Sequence, residues 1–186
     1  MPKSPVLPLA AALALLSAAA APAAAQLAAS GSVGALGLRA TSMEYDGFAD
    51  AGNFLGAGVE LLVNGRLVCV AQAEMLEVSS LSGDGAAVNS GFALTGGLGI
   101  RLGIPGLERV SVDLMGYGGY AQLSYDNGST FTDASPQFGF GLTPRLQLMN
   151  RLAITLSARV LNGADAGEGT AINRTDFGIG GWFRVF

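Results

Sequence analysis

Hydrophobic and polar residues alternate along most of the chain after residue 30. The pattern is clearest in RLAITLSARV (151–160), where Ile154 and Leu156 fall on one parity and Arg151 and Arg159 on the other. Successive side chains of a strand point to opposite faces, so this pattern predicts a strand with one apolar and one polar face. We predict eight such strands, near residues 32–42, 53–64, 66–78, 91–104, 109–125, 136–148, 151–162 and 173–186.

Long and short breaks separate these strands in strict alternation. The long breaks are acidic, glycine-containing segments at 43–52, 79–90, 125–135 and 162–171. The short ones are NGR (64–66), PGLE (105–108) and MNR (149–151), and Asn-Gly and Pro-Gly are typical of tight turns. The alternation of long and short breaks predicts antiparallel hairpins that follow one another in an up-and-down topology. Most strands have the roughly 10 residues that a tilted strand needs to cross a bilayer.

The amino terminus indicates export. Lys3 precedes an apolar stretch rich in Leu and Ala, and Ala23 and Ala25 form an A-x-A cleavage site before Gln26. These are the parts of a secretory signal peptide. We therefore expect residues 1–25 to be a cleaved signal peptide and residues 26–186 to form one β-barrel domain.

In a membrane barrel the apolar face of each strand turns toward lipid and the polar face encloses the lumen. An unpaired charge in such a narrow space costs several kcal/mol, so we expect Arg–carboxylate pairs that fill the lumen. A narrow ion path stays open as an alternative, because several glycines share the polar face. The charged residues of that face are Arg39, Glu60, Glu74, Arg101, Asp113, Arg145, Arg159, Asp176 and Arg184.

Composition argues against several other functions. Without the signal peptide the chain has nine arginines against fourteen carboxylates, a net charge of −5, and no basic patch for nucleic acid. It has no histidine, which removes the usual general base at neutral pH. One cysteine and no histidine cannot form a zinc site. We expect no enzyme activity, no cofactor and no metal centre, although the acidic connections leave weak binding of a hard cation open.

The last strand completes a resemblance. DFGIGGWFRVF ends the chain on Phe186, after a signal peptide and seven further alternating strands. In these features the chain resembles the small eight-stranded outer-membrane barrels of Gram-negative bacteria, the OmpA-like and opacity-type family. The resemblance implies an all-β, antiparallel, up-and-down transmembrane barrel in the cell outer membrane, in contact with lipid and lipopolysaccharide. It also implies that the assembly machinery recognises the last strand, with Phe186 as the carboxy-terminal signal.

One detail departs from the family pattern. Phe183 and Val185 share the apolar parity of the last strand, whereas Phe186 falls with Trp182 and Arg184. A bulge at Gly180 or Gly181 would restore the register. In the alternative, Phe186 leaves the strand and curls round the periplasmic rim.

Three functional hypotheses follow. The first is a structural or surface-interaction barrel with a lumen filled by ion pairs and acidic extracellular connections. The second is a narrow porin-like or lateral channel for small solutes. The third is a soluble periplasmic ligand-binding barrel of lipocalin-like design, in which the apolar faces point inward.

Overall fold

The structure is a computed structural model that describes residues 29–45, 48–79, 87–126, 130–164 and 171–186. These residues form a closed antiparallel barrel in which each strand pairs with its sequence neighbours and β1 pairs with β8. The expected eight-stranded up-and-down barrel is confirmed. The strands are β1 (Ala29–Tyr45), β2 (Phe48–Val63), β3 (Leu67–Ser79), β4 (Ala87–Ile104), β5 (Leu107–Asp126), β6 (Thr130–Gln147), β7 (Leu152–Gly163) and β8 (Asn173–Arg184). Within the described ranges, no helix is long and apolar enough to cross a membrane.

Several strands are longer than the alternation indicated. β1 and β2 stay paired up to Tyr45 and Phe48, so most of the predicted connection 43–52 is strand. β5 and β6 likewise stay paired up to Asp126 and Thr130, within the predicted connection 125–135. Backbone hydrogen bonds between strands do not require an apolar face. The acidic and glycine-containing segments therefore form strand although their sequence lacks the alternation from which strands were predicted. The predicted signal peptide, residues 1–25, lies outside the described residues.

The side chains of β7 show which face of the strands looks outward. Ile154 and Leu156 are 40% and 55% exposed, whereas Thr155 and Arg159 on the opposite parity are buried. Large apolar side chains of other strands are exposed in the same way. They include Leu55, Phe92, Leu98, Leu114, Phe138, Phe140, Phe177 and Ile179. The structure gives no support to the lipocalin-like alternative, because the apolar faces point out and the charges point in.

Tight turns close one end of the barrel. Between β2 and β3, Asn64 and Gly65 both have positive φ angles, 51° and 67°, and the Arg66 N–H donates to Val63 O at 3.1 Å. Two successive positive φ angles are the conformation that the Asn-Gly pair favours in a two-residue hairpin. Gly106, in the predicted PGLE turn, also has a positive φ, 79°. The two turns that were predicted from Asn-Gly and Pro-Gly therefore lie at the expected residues.

The last strand keeps a regular register. β8 pairs with β7 without a shift from Arg174 to Phe183, so there is no bulge at Gly180 or Gly181 in that seam. The irregularity lies in β1 instead, between Leu36 and Arg39.

Phe186 lies beyond the end of β8, against β1. The Val185 N–H donates to Gly31 O at 2.8 Å, and the Gly31 N–H donates to Phe186 O at 3.2 Å. The Phe186 ring covers Gly31 so closely that a Cβ at residue 31 would overlap it. Of the two predicted placements, Phe186 therefore adopts the one in which it leaves the strand at the rim.

The seam between β6 and β7 contains a gap. Pairing runs to Leu142↔Ala158 and resumes at Arg145↔Thr155, while β6 pairs without a break with β5 on its other side. Pro144 lies inside this gap, and proline has no N–H to donate to a neighbouring strand. The seam therefore lacks ladder hydrogen bonds near the middle of β7.

Neighbouring side chains and backbone occupy the space beside several lumen-side glycines. A methyl group at Gly97 would lie 2.8 Å from the Tyr117 ring, and one at Gly141 would lie 2.7 Å from Arg159 Cβ. The space that these glycines leave is therefore occupied by side chains from other strands. Gly139 is tighter still, since a methyl group there would overlap the backbone carbonyl oxygen of Val160.

We expect Leu156→Arg to lower the free energy of unfolding by about 2–4 kcal/mol, because an arginine on the lipid face is most costly near the bilayer midplane. The measurement is urea unfolding in phospholipid vesicles. Asn162→Arg is the matched control, since Asn162 is exposed on the same face of β7 but near its end. Equal stabilities for the two variants would contradict the outward assignment.

Gly139→Ala should destabilise the barrel by about 1–3 kcal/mol, because the added methyl group forces the backbones of β6 and β7 apart. Gly103→Ala serves as the control in the same unfolding assay. A methyl group at Gly103 meets no heavy atom within 4 Å, so its effect should stay within about 0.5 kcal/mol. A Gly139→Ala barrel as stable as the wild type would show that the strands can separate without cost.

Candidate functional site

Buried charges in the lumen form two groups, each made of two arginines and two carboxylates. The turn-side quartet, nearer the tight turns, draws one residue from each of β2, β4, β5 and β6. The loop-side quartet draws its residues from β3, β7 and β8. The turn-side quartet is Glu60, Arg101, Asp113 and Arg145, and the loop-side quartet is Glu74, Arg159, Arg174 and Asp176.

In the turn-side quartet, Glu60 bridges two arginines. Arg101 donates from Nε and Nη2 to the two oxygens of Asp113, at 2.7 and 2.8 Å, and from Nη2 to Glu60 Oε1 at 3.1 Å. Arg145 donates from Nη2 to the other oxygen of Glu60. The Arg145 guanidinium also lies 5.8 Å from the ring centroid of buried Trp182, within cation–π range. The fork geometry of Arg101 on Asp113 is the strong, bidentate form of this pair.

In the loop-side quartet, each carboxylate accepts from both arginines. Arg159 donates to Glu74 Oε1 at 2.5 Å and from Nε to Asp176 Oδ2 at 2.7 Å. Arg174 Nη2 donates to Glu74 Oε2 and Asp176 Oδ2, both at 2.9 Å. Gln72 accepts a further hydrogen bond from Arg159 Nη1 at 2.8 Å. All four charged groups are almost completely buried, so water contributes little to their stabilisation.

An apolar layer lies in the lumen beside the loop-side quartet. Along β5, Met115 and Tyr117 follow Asp113 on the lumen face, and they cluster with Val68 and Leu161. The Arg159 guanidinium lies 5.7 Å from the Tyr117 ring centroid, which ties this layer to the loop-side quartet.

The remaining space at the turn-side mouth is small. The cavity there has a volume of about 10 Å³, which is room for one water molecule. It is bounded by turn-side quartet residues and, at the rim, by Arg151 and Arg184.

Both quartets are electrically neutral. Removing one partner of a buried ion pair leaves an uncompensated charge and typically costs 3–5 kcal/mol, so each quartet depends on all four members. Every quartet carboxylate accepts hydrogen bonds from arginine side chains. What this arrangement can do chemically is hold strands of the barrel wall together through paired charges.

The structure brings together seven of the nine charged residues predicted for the lumen. Arg184 is different: it is exposed at the mouth, and no ion pair among the described residues includes it. The backbone of Arg39 pairs with Phe54 and Gly178, but its side chain lies outside the described residues.

Sequence reasoning missed Arg174. It stands two residues before Asp176, on the same parity, and belongs to the loop-side quartet. It is the second residue of the predicted strand 173–186, next to the long connection, where the alternation is weakest. Extending the period-2 pattern by one step would have included it. Gln137, which donates to Ile172 O at 2.7 Å, was missed for the same reason at the start of the predicted sixth strand.

Metal-ligating residues show no comparable arrangement. In the part of the chain that the structure describes, no three His, Cys, Asp or Glu residues are grouped to hold a metal ion. Several carboxylates considered for weak cation binding, such as Asp84, Asp165 and Glu168, lie outside the described residues.

Comparison with known proteins identifies the fold. No family model and no curated protein matches the sequence. Among solved structures, Neisserial surface protein A is 11% identical with a TM-score of 0.71, over 83% of this chain and 97% of that one. The attachment invasion locus protein Ail of Yersinia pestis, in complex with the heparin analogue sucrose octasulfate, is 12% identical with a TM-score of 0.55, over 83% and 99%.

These similarities show the architecture and not the activity, because the identities are low. Both neighbours are small eight-stranded outer-membrane barrels, and their names describe a surface protein and an attachment protein. The resemblance drawn from the sequence is thereby confirmed at the level of the fold. The chain has the fold of the small eight-stranded outer-membrane β-barrels of bacteria, the OmpA-like and opacity-type architecture.

Proposed function

We propose that this protein is a non-enzymatic outer-membrane barrel that acts through its surface, with a lumen closed by ion pairs. The observation that carries the proposal is the pairing of eight lumen charges, seven of them buried and Arg101 partly buried, into two neutral quartets. Those charges come from seven of the eight strands. The quartets therefore link strands across the lumen and also occupy the space inside the barrel.

The filled lumen argues against the porin-like alternative. A hydrated ion crossing the barrel would have to break the pairs of both quartets and pass the apolar layer at Met115 and Tyr117. Two of the glycines that suggested spare room, Gly97 and Gly141, face Tyr117 and Arg159 at less than ordinary contact distance. The cavity lined by Glu60, Arg101 and Arg145 at the turn-side mouth holds about 10 Å³, far less than a hydrated ion needs.

The working surface is proposed to be the end with the long connections. The resemblance implies that this end faces the cell exterior, opposite the tight turns and the chain termini. The segments 43–52, 79–90, 125–135 and 162–171 contain carboxylates and no basic residue. A polyanion such as the sulfated sugar in the Ail complex would be repelled there. We propose instead a partner with basic groups, or lipopolysaccharide phosphates bridged by divalent cations.

Assembly is proposed to depend on the last strand. Phe186 lies against Gly31 of β1, so the carboxy-terminal residue sits at the seam where the barrel closes. This placement supports a role for Phe186 as the signal that the outer-membrane assembly machinery recognises.

In planar lipid bilayers the folded protein should give no stepwise conductance, because both quartets block the lumen. Gel migration before and after boiling should accompany the recording, since a heat-dependent shift shows that the inserted protein is a closed barrel. Steady, reproducible current steps from heat-modifiable protein would overturn the proposal in favour of the narrow channel.

Arg159→Met should lower the free energy of unfolding by about 3–5 kcal/mol, because it leaves Glu74 and Asp176 with one arginine between them. The double variant Arg159→Met/Asp176→Asn should recover much of this loss, since it leaves the neutral pair of Glu74 and Arg174. Urea unfolding in vesicles measures both as a double-mutant cycle. Arg184→Met is the control and, in vesicles of phosphatidylcholine without anionic lipid, should change stability by less than about 0.5 kcal/mol. Additive effects at Arg159 and Asp176 would contradict the coupling.

A further inference from the structure

The short-turn end of the barrel carries an excess of positive charge. Four arginines are exposed there, and we call them the arginine rim: Arg66, Arg109, Arg151 and Arg184. Glu108 is the one exposed carboxylate side chain among the described residues of these turns. None of the ion pairs formed within the described ranges involves the rim. The rim therefore presents cations that the protein itself does not neutralise.

The rim lies at the edge of the apolar outer surface. Exposed Leu67 directly follows Arg66, and exposed Val185 directly follows Arg184. Exposed Leu107 and Met149 likewise stand two residues before Arg109 and Arg151 respectively. Because successive residues of a strand face opposite sides, Arg184 faces the lumen mouth together with Arg151, and these long side chains can extend from the rim to the level of the lipid headgroups.

Two rim arginines are brought side by side. The Arg184 N–H donates to the backbone carbonyl oxygen of Arg151 at 2.7 Å, so the last residue of β8 lies beside the residue that precedes β7. They also share the mouth with Arg101 and Arg145, whose charges are already compensated by the turn-side quartet. Like charges on neighbouring strands disfavour each other, and an anion from outside the protein would remove this penalty.

We propose that the arginine rim binds the phosphate headgroups of anionic phospholipids in the leaflet at the short-turn end. A guanidinium offers two parallel donors that match a phosphate, and basic side chains near an anionic membrane surface each raise affinity roughly fivefold. The membrane setting rests on the proposed function, and under the proposed orientation this leaflet is the periplasmic one. The acidic connections at the other end make the charge of the barrel strongly asymmetric along its axis.

Native mass spectrometry of the folded full chain in a neutral detergent tests the proposal. Phosphatidylglycerol and phosphatidylcholine with the same acyl chains are titrated, and we expect phosphatidylglycerol to bind at least about tenfold more tightly. Arg151→Gln/Arg184→Gln should reduce that preference about tenfold or more, whereas Arg151→Lys/Arg184→Lys should keep most of it. Glu108→Gln is the matched control, because it alters the charge of the same rim without removing an arginine, and it should retain or increase the preference.

Equal binding of the two lipids by the wild type would overturn the proposal. So would an unchanged preference in the double glutamine variant, or an equal loss in Glu108→Gln. A heat-dependent gel shift in each variant establishes that the barrel is folded before lipid is added. Conductance is measured separately, so a barrel that is closed but indifferent to headgroup charge would refute the rim proposal while leaving the proposed function intact.

Discussion

Every part of this barrel depends on the need to neutralise charge inside a cylinder whose outer wall is apolar. Because leucine, isoleucine and phenylalanine side chains occupy the outward positions, the charged side chains of the same strands have nowhere to go but the lumen. There they lose most of their hydration, and only direct pairing compensates for that loss. The requirement links strands that are far apart in sequence: Glu74 of β3 meets Arg159 of β7 and Arg174 of β8.

Lumen packing and wall regularity follow from the same constraint. The wide guanidinium groups need volume, and the lumen faces of β4 and β6 supply it through glycines such as Gly97 and Gly141. Aromatic rings then fill what the charges leave. Tyr117 and Trp182 each lie beside an arginine, so they contribute apolar contact and a favourable electrostatic surface at once. A composition with many glycines is therefore compatible with a dense interior.

The sequence alone was sufficient for the fold because a period of two is a local signal. Ile154 and Leu156 against Thr155 and Arg159 specify both a strand and its two faces, and Asn64-Gly65 specifies a turn. Strand ends outside the bilayer carry no such signal, which explains why the pairing of β1 with β2 near residue 45 was missed. The quartets were half predictable: parity selected their members, but which carboxylate meets which arginine depends on the shear and closure of the barrel. Arg174 was lost at a strand end, and the contact of Phe186 with Gly31 depends on backbone hydrogen bonds beyond the last paired residue.

The gap in pairing beside Pro144 lies in a different seam from the one at which the barrel closes. A closed barrel is completed when its first and last strands meet, and here β1 and β8 pair over most of their length. The β6–β7 seam, by contrast, loses ladder hydrogen bonds in the hydrocarbon region, where water cannot replace them. A cylinder under thermal or mechanical stress parts along the line with the fewest bonds. This barrel therefore closes along the β8–β1 seam and is expected to open first along the β6–β7 seam, a quarter of the wall away.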